Sequence, residues 1–255
     1  MSLDEKQLEN KIFKRFDELK DGGLVSKFVE NSDFELKEVL KFLSRVSDKK
    51  VLDVGCGKGK ISRKLKDLGF DVIGIEPSIE LIKIARKNNP DIKFIQASAT
   101  NLPFEKETFD FLICIEVLEH IPDTKKAIKK MIRVLKLNGK VLIIDKNILS
   151  LNPEYLIPTF FLKRFLENRN KWMYPKNFPF KEKYFIPWKL NNVLKKYCSQ
   201  TKIEYLYYKA SGGNVSSLRK IIICITNIIS LFMHKFFPFL DLFIAWEGTK
   251  TYNKT

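Results

Sequence analysis

Two clusters in this 255-residue chain have the residue types and spacing for chemistry. The first is Asp53-Val54-Gly55-Cys56-Gly57-Lys58-Gly59, an acid followed by three glycines at alternate positions. An apolar run from Val51 to Val54 leads into it, and Ile61, Leu65 and Leu68 follow at helical spacing. The pattern predicts strand, tight turn and helix. Glycines accept angles that a Cβ forbids and let the main chain come close to a ligand. The helix start offers N–H groups to an anionic or polar group. Glu76 closes the next apolar run, where an acid is placed to accept both hydroxyls of a ribose. The D-x-G-x-G-x-G spacing departs from the dinucleotide pattern G-x-G-x-x-G, so the ligand needs a ribose but no pyrophosphate.

The second cluster is Glu116-Val117-Leu118-Glu119-His120. In a helical turn, residues at i, i+3 and i+4 share a face. Two carboxylates and an imidazole could then converge on a divalent cation such as Mg2+. Without a metal, His120 or Glu116 can act as a base. The alternative is a structural loop, with His120 and Asp123 capping the next helix.

The elements that must position these clusters alternate along the chain. Strands are expected at 51–54, 72–76, 92–96, 109–115 and 141–145, the last entered through an Asn138-Gly139 turn. Helices are expected at 60–68, 79–88 and 124–135. Pro77-Ser78 opens the second of these, as a proline and a capping hydroxyl should. Strands separated by helices imply a parallel sheet with ligands at the strand C-terminal ends. Two amphipathic helices, 5–20 and 33–45, precede the first strand, with an Asp21-Gly22-Gly23 break between them. A helix at 187–197, a strand at 203–208, a Gly212-Gly213 loop, an apolar helix at 218–233 and a strand at 242–246 complete the chain.

The segments VLDVGCGKG, VIGIEPS, ASATNLPF, FDFLICIEVLEHIPD and RVLKLNGKVLI occur in that order. Together they resemble class I S-adenosylmethionine-dependent methyltransferases, in particular the small-molecule, quinone-pathway branch. The resemblance is close over residues 45–150 and holds elsewhere in outline. It implies an α/β fold with a Rossmann-like seven-stranded sheet, mostly parallel, the last strand antiparallel, and helices on both faces. It also implies one domain over 1–255. Cap helices fill 1–46, the cofactor core 47–149, an aromatic and basic substrate-side insert 150–200, and C-terminal strands with an apolar helix 201–255.

The resemblance assigns Asp53, Gly55, Cys56, Gly57 and Gly59 to the methionine end of S-adenosylmethionine. Glu76 falls to the ribose, Pro77, Ser98 and Ala99 to the adenine, and Glu116 also to the cofactor. Ser98 stands where the family commonly carries an acid, which puts the adenine contact in question. The EVLEH spelling resembles the metal-binding turn of quinone-pathway O-methyltransferases and of small-RNA 2′-O-methyltransferases, with Glu116, Glu119 and His120 as ligands. The small-RNA enzymes add a histidine after strand five, where this chain has Lys146-Asn147. The expected activity is methyl transfer to an oxygen of a hydrophobic or lipid-linked small molecule. RNA methylation and a non-catalytic binder are the alternatives.

Composition narrows the partners. Hydrophobic residues make up 45% of the chain, which excludes disorder as the organising state. Four scattered cysteines and an N-terminus without a signal-peptide core fit a reducing cytoplasm. The net charge is +16 and uneven. Residues 1–145 hold 28 Lys and Arg against 24 Asp and Glu, while residues 146–255 hold 18 against 6. A basic surface of this kind attracts nucleic acid, anionic lipid or acidic substrates. The longest charge-free run near the end, Ile221–Met233, is too short to span a bilayer. It is expected to be buried in the core, with peripheral membrane contact through 218–246 as the alternative. Oligomeric state is not legible.

Overall fold

The computed structural model describes residues 4–18, 33–43, 49–152, 157–171, 174, 176–207 and 217–252. The expected breaks at Asp21-Gly22-Gly23 and Gly212-Gly213 lie outside these residues. Two helices come first, α1 (Glu5–Glu18) and α2 (Asp33–Leu43). The alternating core follows as β1 (Lys50–Val54), α3 (Lys60–Asp67), β2 (Asp71–Glu76), α4 (Ile79–Asn88), β3 (Lys93–Gln96), β4 (Phe109–Ile115), α5 (Thr124–Val134) and β5 (Leu135–Lys146). A short hairpin, β6 (Leu151–Asn152) and β7 (Ile157–Pro158), leads to α6 (Thr159–Asn168). Then come α7 (Pro187–Leu194), β8 (Cys198–Leu206), α8 (Ser217–Phe236) and β9 (Phe243–Lys250).

The main sheet has seven strands in the order β3-β2-β1-β4-β5-β9-β8. Strands β1 to β5 pair in parallel, and β9 runs antiparallel between β5 and β8. The strands are apolar on both faces because both faces are covered. Side chains alternate between the two. Val51, Phe111, Ile113, Leu142 and Ile144 pack with Val39 and Leu43 of α2 and Leu65 of α3. Leu52, Val54, Leu112, Cys114, Val141 and Ile143 face the other way, against Ile128 and Met131 of α5 and Leu190 and Leu194 of α7. The strand order reverses between β1 and β4, so a cleft opens beyond their C-terminal ends.

Two expectations need correcting, and one helix was not anticipated. The Asn138-Gly139 pair does not precede β5 but lies within it. Leu135 already pairs with Phe109, the register shifts before Lys140 pairs with Phe111, and Asn138 takes a left-handed φ of 61°. The aromatic insert contains a helix, α6, that its prolines disguised, since Pro158 stands at its cap and not inside it. The apolar C-terminal helix is not buried in the core. In α8, Ile221, Ile225, Ile228, Phe232 and Phe236 recur at i, i+4, i+7, i+11 and i+15 and are each more than half exposed. The physical reason is edge position. Helix α8 is joined to the strands at the β8–β9 edge of the sheet and packs chiefly on the 3-10 turn Pro238–Leu240.

Candidate active site

The cleft of about 280 Å³ lies at the C-terminal ends of β1, β2 and β4. Asp53, Gly55, Cys56, Gly57, Glu76, Pro77, Ser98, Ala99, Glu116, Glu119 and His120 all line it, so the structure gathers both sequence clusters into one space. Gly59 lies just behind, as the residue before α3, with a φ of 81°.

The glycine loop is shaped by two constraints. Gly55 has a φ of 73°, and a Cβ there would lie 2.2 Å from Val117 Cγ2. Gly57 has a φ of 51°, and a Cβ there would meet open space. The first glycine is needed for packing against the acidic turn, the second for its backbone angle alone. The Gly55 and Cys56 N–H groups donate to the Ile75 carbonyl at 2.8 and 2.9 Å, which ties the loop to β2. No side chain caps α3.

Glu76 is buried and accepts from two main-chain donors, Gly57 N–H at 3.1 Å and Ser78 N–H at 2.9 Å. It therefore fastens the glycine loop as well as facing the cleft. Asp53 is likewise buried and accepts from the Ser62 hydroxyl at 2.6 Å. Burial pushes the Glu76 carboxyl up to about 7 and the Asp53 carboxyl up to about 6, and their hydrogen bonds only partly offset it. Both groups are raised acids, so between pH 4.5 and 7 the folded protein holds protons that the unfolded chain has released. Stability of the ligand-free protein is expected to fall as pH rises through that window, by about 3 kcal/mol from Glu76 alone. Thermal melts from pH 5 to pH 7.5 check this. A Glu76→Gln variant should show a shallower slope, and a rise in stability with pH would contradict the assignment.

Ser98 does not reach into the cleft unencumbered. Its oxygen accepts from the Thr100 N–H at 3.2 Å and lies 3.0 Å from Thr100 Oγ1, whose hydroxyl donates to Glu9 of α1 at 3.0 Å. Helix α1 is fixed across the cleft at a second point, where the Ser78 hydroxyl donates to Asp17 at 2.5 Å. Phe13 and Phe16 of α1 supply apolar lining, and the Phe16 ring meets the His120 ring edge-on at 5.0 Å. The helical stripe of α1 contained this information, although periodicity alone does not say which partner it covers.

The acidic turn is held in an unusual way. Glu116 has a φ of 52°, a conformation rarely adopted outside glycine. Leu118–His120 form a 3-10 turn, whose Glu119 N–H donates to the buried Asp145 at 3.1 Å. Between the two glutamates sits Lys146, at the end of β5. Its ammonium lies 2.6 and 2.7 Å from the two Glu119 oxygens and 3.2 Å from Glu116 Oε2. Burial opposes the charge on Lys146, but Glu119 and Glu116 outweigh it and hold its pKa well above the ordinary lysine value. His120 Nε2 lies 3.1 Å from Glu119 Oε1, and the Tyr174 hydroxyl lies 3.2 Å from His120 Nδ1. Each ring nitrogen of His120 thus faces a polar partner, Glu119 at Nε2 and the Tyr174 hydroxyl at Nδ1.

Lys146, Glu182 and Tyr174 were absent from the sequence-based site. Glu182 pairs with Lys163 and lies 4.0 Å from His120 Nδ1. Burial raises its carboxyl, but Lys146, His120 and Lys163 outweigh that and lower it to about 2. Lys146 was named only as a replacement for a histidine, and nothing in the aromatic insert marks Glu182 as facing the cleft.

A switch-point cleft with a glycine loop, a buried acid ending β2 and β9 inserted antiparallel defines the class I methyltransferase fold. Residues 52–143 match a family described as a methyltransferase domain. It is 33% identical over 128 residues to a demethylmenaquinone methyltransferase of Renibacterium salmoninarum, covering 50% of this chain and 54% of that protein. It is 34% identical over 122 residues to a ubiquinone biosynthesis O-methyltransferase of Aliivibrio fischeri, covering 45% and 52%. The chain thus spans about half the length of these relatives. Its fold matches a Thermotoga maritima structure described as a SAM-dependent methyltransferase, possible histamine N-methyltransferase. The TM-score is 0.61, with 20% identity, over 94% of this chain and 100% of that one.

Proposed function

We propose that the chain transfers a methyl group from S-adenosylmethionine to an oxygen of a hydrophobic or lipid-linked small molecule. The observation that supports this best is the meeting of two unlike ends in one cleft. One end is Glu76 and the glycine loop; the other is the Glu116–His120 turn with its ammonium. The residues present fit the cofactor. Glu76 keeps lone pairs beyond its two main-chain bonds for ribose hydroxyls, Gly57 leaves open space, and Pro77 and Leu81 offer an apolar wall.

The bound sulfonium supplies a methyl carbon already activated for in-line displacement. The chain's own residues then have three tasks. Asp53 and the loop orient the methionine end, and Glu76 holds the ribose. Phe13 and Phe16 exclude water. Glu116, with a side chain 34% exposed and the cleft beside it, accepts the acceptor's hydroxyl proton. His120 suits this less well, because both of its ring nitrogens are engaged. Positioning is expected to supply most of the rate.

A membrane-surface location goes with this reading. The exposed apolar stripe of α8 belongs to the half of the chain carrying 18 Lys and Arg against 6 Asp and Glu, a pairing suited to anionic lipid. No described helix is long and apolar enough to cross a membrane. The Asn147 side chain, next in sequence to Lys146, donates to the Phe239 and Asp241 carbonyls just after α8, which ties the segment following the stripe to the end of β5. The test is methyl-labelled S-adenosylmethionine incubated with the chain and a total lipid extract, then partitioned. Label in the organic phase is expected. Label confined to added RNA would replace this proposal with the nucleic-acid alternative.

A further inference from the structure

The acidic turn offers what a metal site needs, since Glu119, His120 and Glu182 bring ligand atoms within 4.8 Å of one another. Glu116, the third ligand expected from the sequence, is not in that group. The donor set does not suit a divalent ion, because its carboxylates already face ammonium groups. Both oxygens of Glu119 are within 2.7 Å of Lys146 Nζ, and Glu182 is paired with Lys163. Hard divalent cations bind carboxylate oxygens at about 2.0–2.6 Å. An ion on the Glu119 oxygens would therefore stand beside the Lys146 ammonium, with like charges nearly in contact.

We propose that the Lys146 ammonium is this site's built-in cation, standing between Glu116 and Glu119 where a divalent metal would otherwise stand. This rests on the reading of the cleft as a methyl-transfer site and deepens it. A metal ion gathers two neighbouring acceptor oxygens by chelation. The Lys146 ammonium cannot do so, because its three N–H donors already face the two Glu119 oxygens and Glu116 Oε2, and it serves instead to fix the Glu116 carboxylate. The acceptor class that follows is a compound with one reactive hydroxyl, not a chelating pair. Lys146 is placed for this by fold, not chance. It ends β5, its N–H donates to Asp145, and the same Asp145 carboxylate accepts from Glu119. One buried carboxylate thus aligns both partners of the ion pair. From the insert, Glu182 adds a negative charge near the ammonium, itself paired with Lys163, whose like charge Lys146 opposes, and the Tyr184 ring packs under Lys163.

Electron spin resonance of Mn2+ tests the proposal without any acceptor. The intact protein is expected to leave the aqueous Mn2+ signal unchanged. Lys146→Ala should bind Mn2+ at least 100-fold more tightly, roughly, because removing the ammonium frees the Glu119 and Glu116 oxygens. Stoichiometric Mn2+ binding by the intact protein, lost in Glu119→Gln, would overturn the proposal. So would a folded Lys146→Ala that binds no better than the intact chain. Lys146→Gln provides a milder variant if the alanine form does not fold. The intact-protein titration decides the first outcome in any case. Calorimetry with S-adenosylhomocysteine on the same samples separates failure of this proposal from failure of the methyl-transfer reading, since the Glu76 end of the cleft does not include Lys146.

Discussion

Replacing Glu76 by alanine is expected to weaken S-adenosylmethionine and S-adenosylhomocysteine binding by about 100-fold or more. Two effects combine. The buried carboxylate is the group at the end of β2 able to accept the ribose hydroxyls. Hydrogen bonds to a charged group contribute about 1.5–3 kcal/mol each, and about 2.8 kcal/mol in all is a factor of 100. The same carboxylate accepts from Gly57 N–H and Ser78 N–H, so its loss also loosens the glycine loop and the first turn of α4. Calorimetric titration separates these contributions. Glu76→Gln keeps the size and one acceptor oxygen, and should fall between the alanine variant and the intact protein. Equal affinity in all three proteins would remove Glu76 from the cofactor site.

Lys146→Met is expected to destabilise the protein by about 3–5 kcal/mol, because it strands Glu119 as an uncompensated charge that is 1% exposed. At this chain length the loss corresponds to roughly a 10 °C fall in melting temperature. The effect should not be read as the worth of the pair. Most of it is the cost of leaving the glutamate buried without its partner. Combining Lys146→Met with Glu119→Gln should therefore recover part of the stability, a coupling that a double-mutant cycle measures by chemical denaturation. Additive losses would mean that the two side chains do not interact, against the 2.6 Å geometry.

The parts of the fold legible in the sequence were those governed by local rules. Helix α4 spans 79–88 as expected, because Ser78 caps it and Pro90 follows it; the Ser78 oxygen accepts from the Leu81 N–H at 3.2 Å. Strand β4 likewise matches 109–115, bounded by turn residues on both sides. Position within the sheet was less legible. Apolar pattern alone cannot distinguish a buried helix from one left at an edge, and α8, expected in the core, carries an exposed apolar stripe.

The site divides in the same way. The glycine loop and Glu76 were legible because one strand and one turn set their geometry. The charges around Glu119 were not, because Lys146, Lys163, Tyr174 and Glu182 come together only through packing of the insert on the end of β5. Glu116 was legible as an acid, but its left-handed backbone was hidden, since the sequence shows no glycine there to announce it. His120 was singled out in the sequence as a base or metal ligand, and in the structure it lines the cleft. Its Nε2 is engaged by the adjacent Glu119, but its Nδ1 partner, Tyr174, lies 54 positions along the chain.

The central claim is that this cleft binds S-adenosylmethionine through the glycine loop and Glu76. The most direct measurement is isothermal calorimetry of S-adenosylmethionine, then S-adenosylhomocysteine, into the intact chain at pH 7.5. The account predicts saturable one-to-one binding with a Kd on the order of micromolar. An intact, folded chain that gives no binding heat and no rise in melting temperature with either ligand would contradict it.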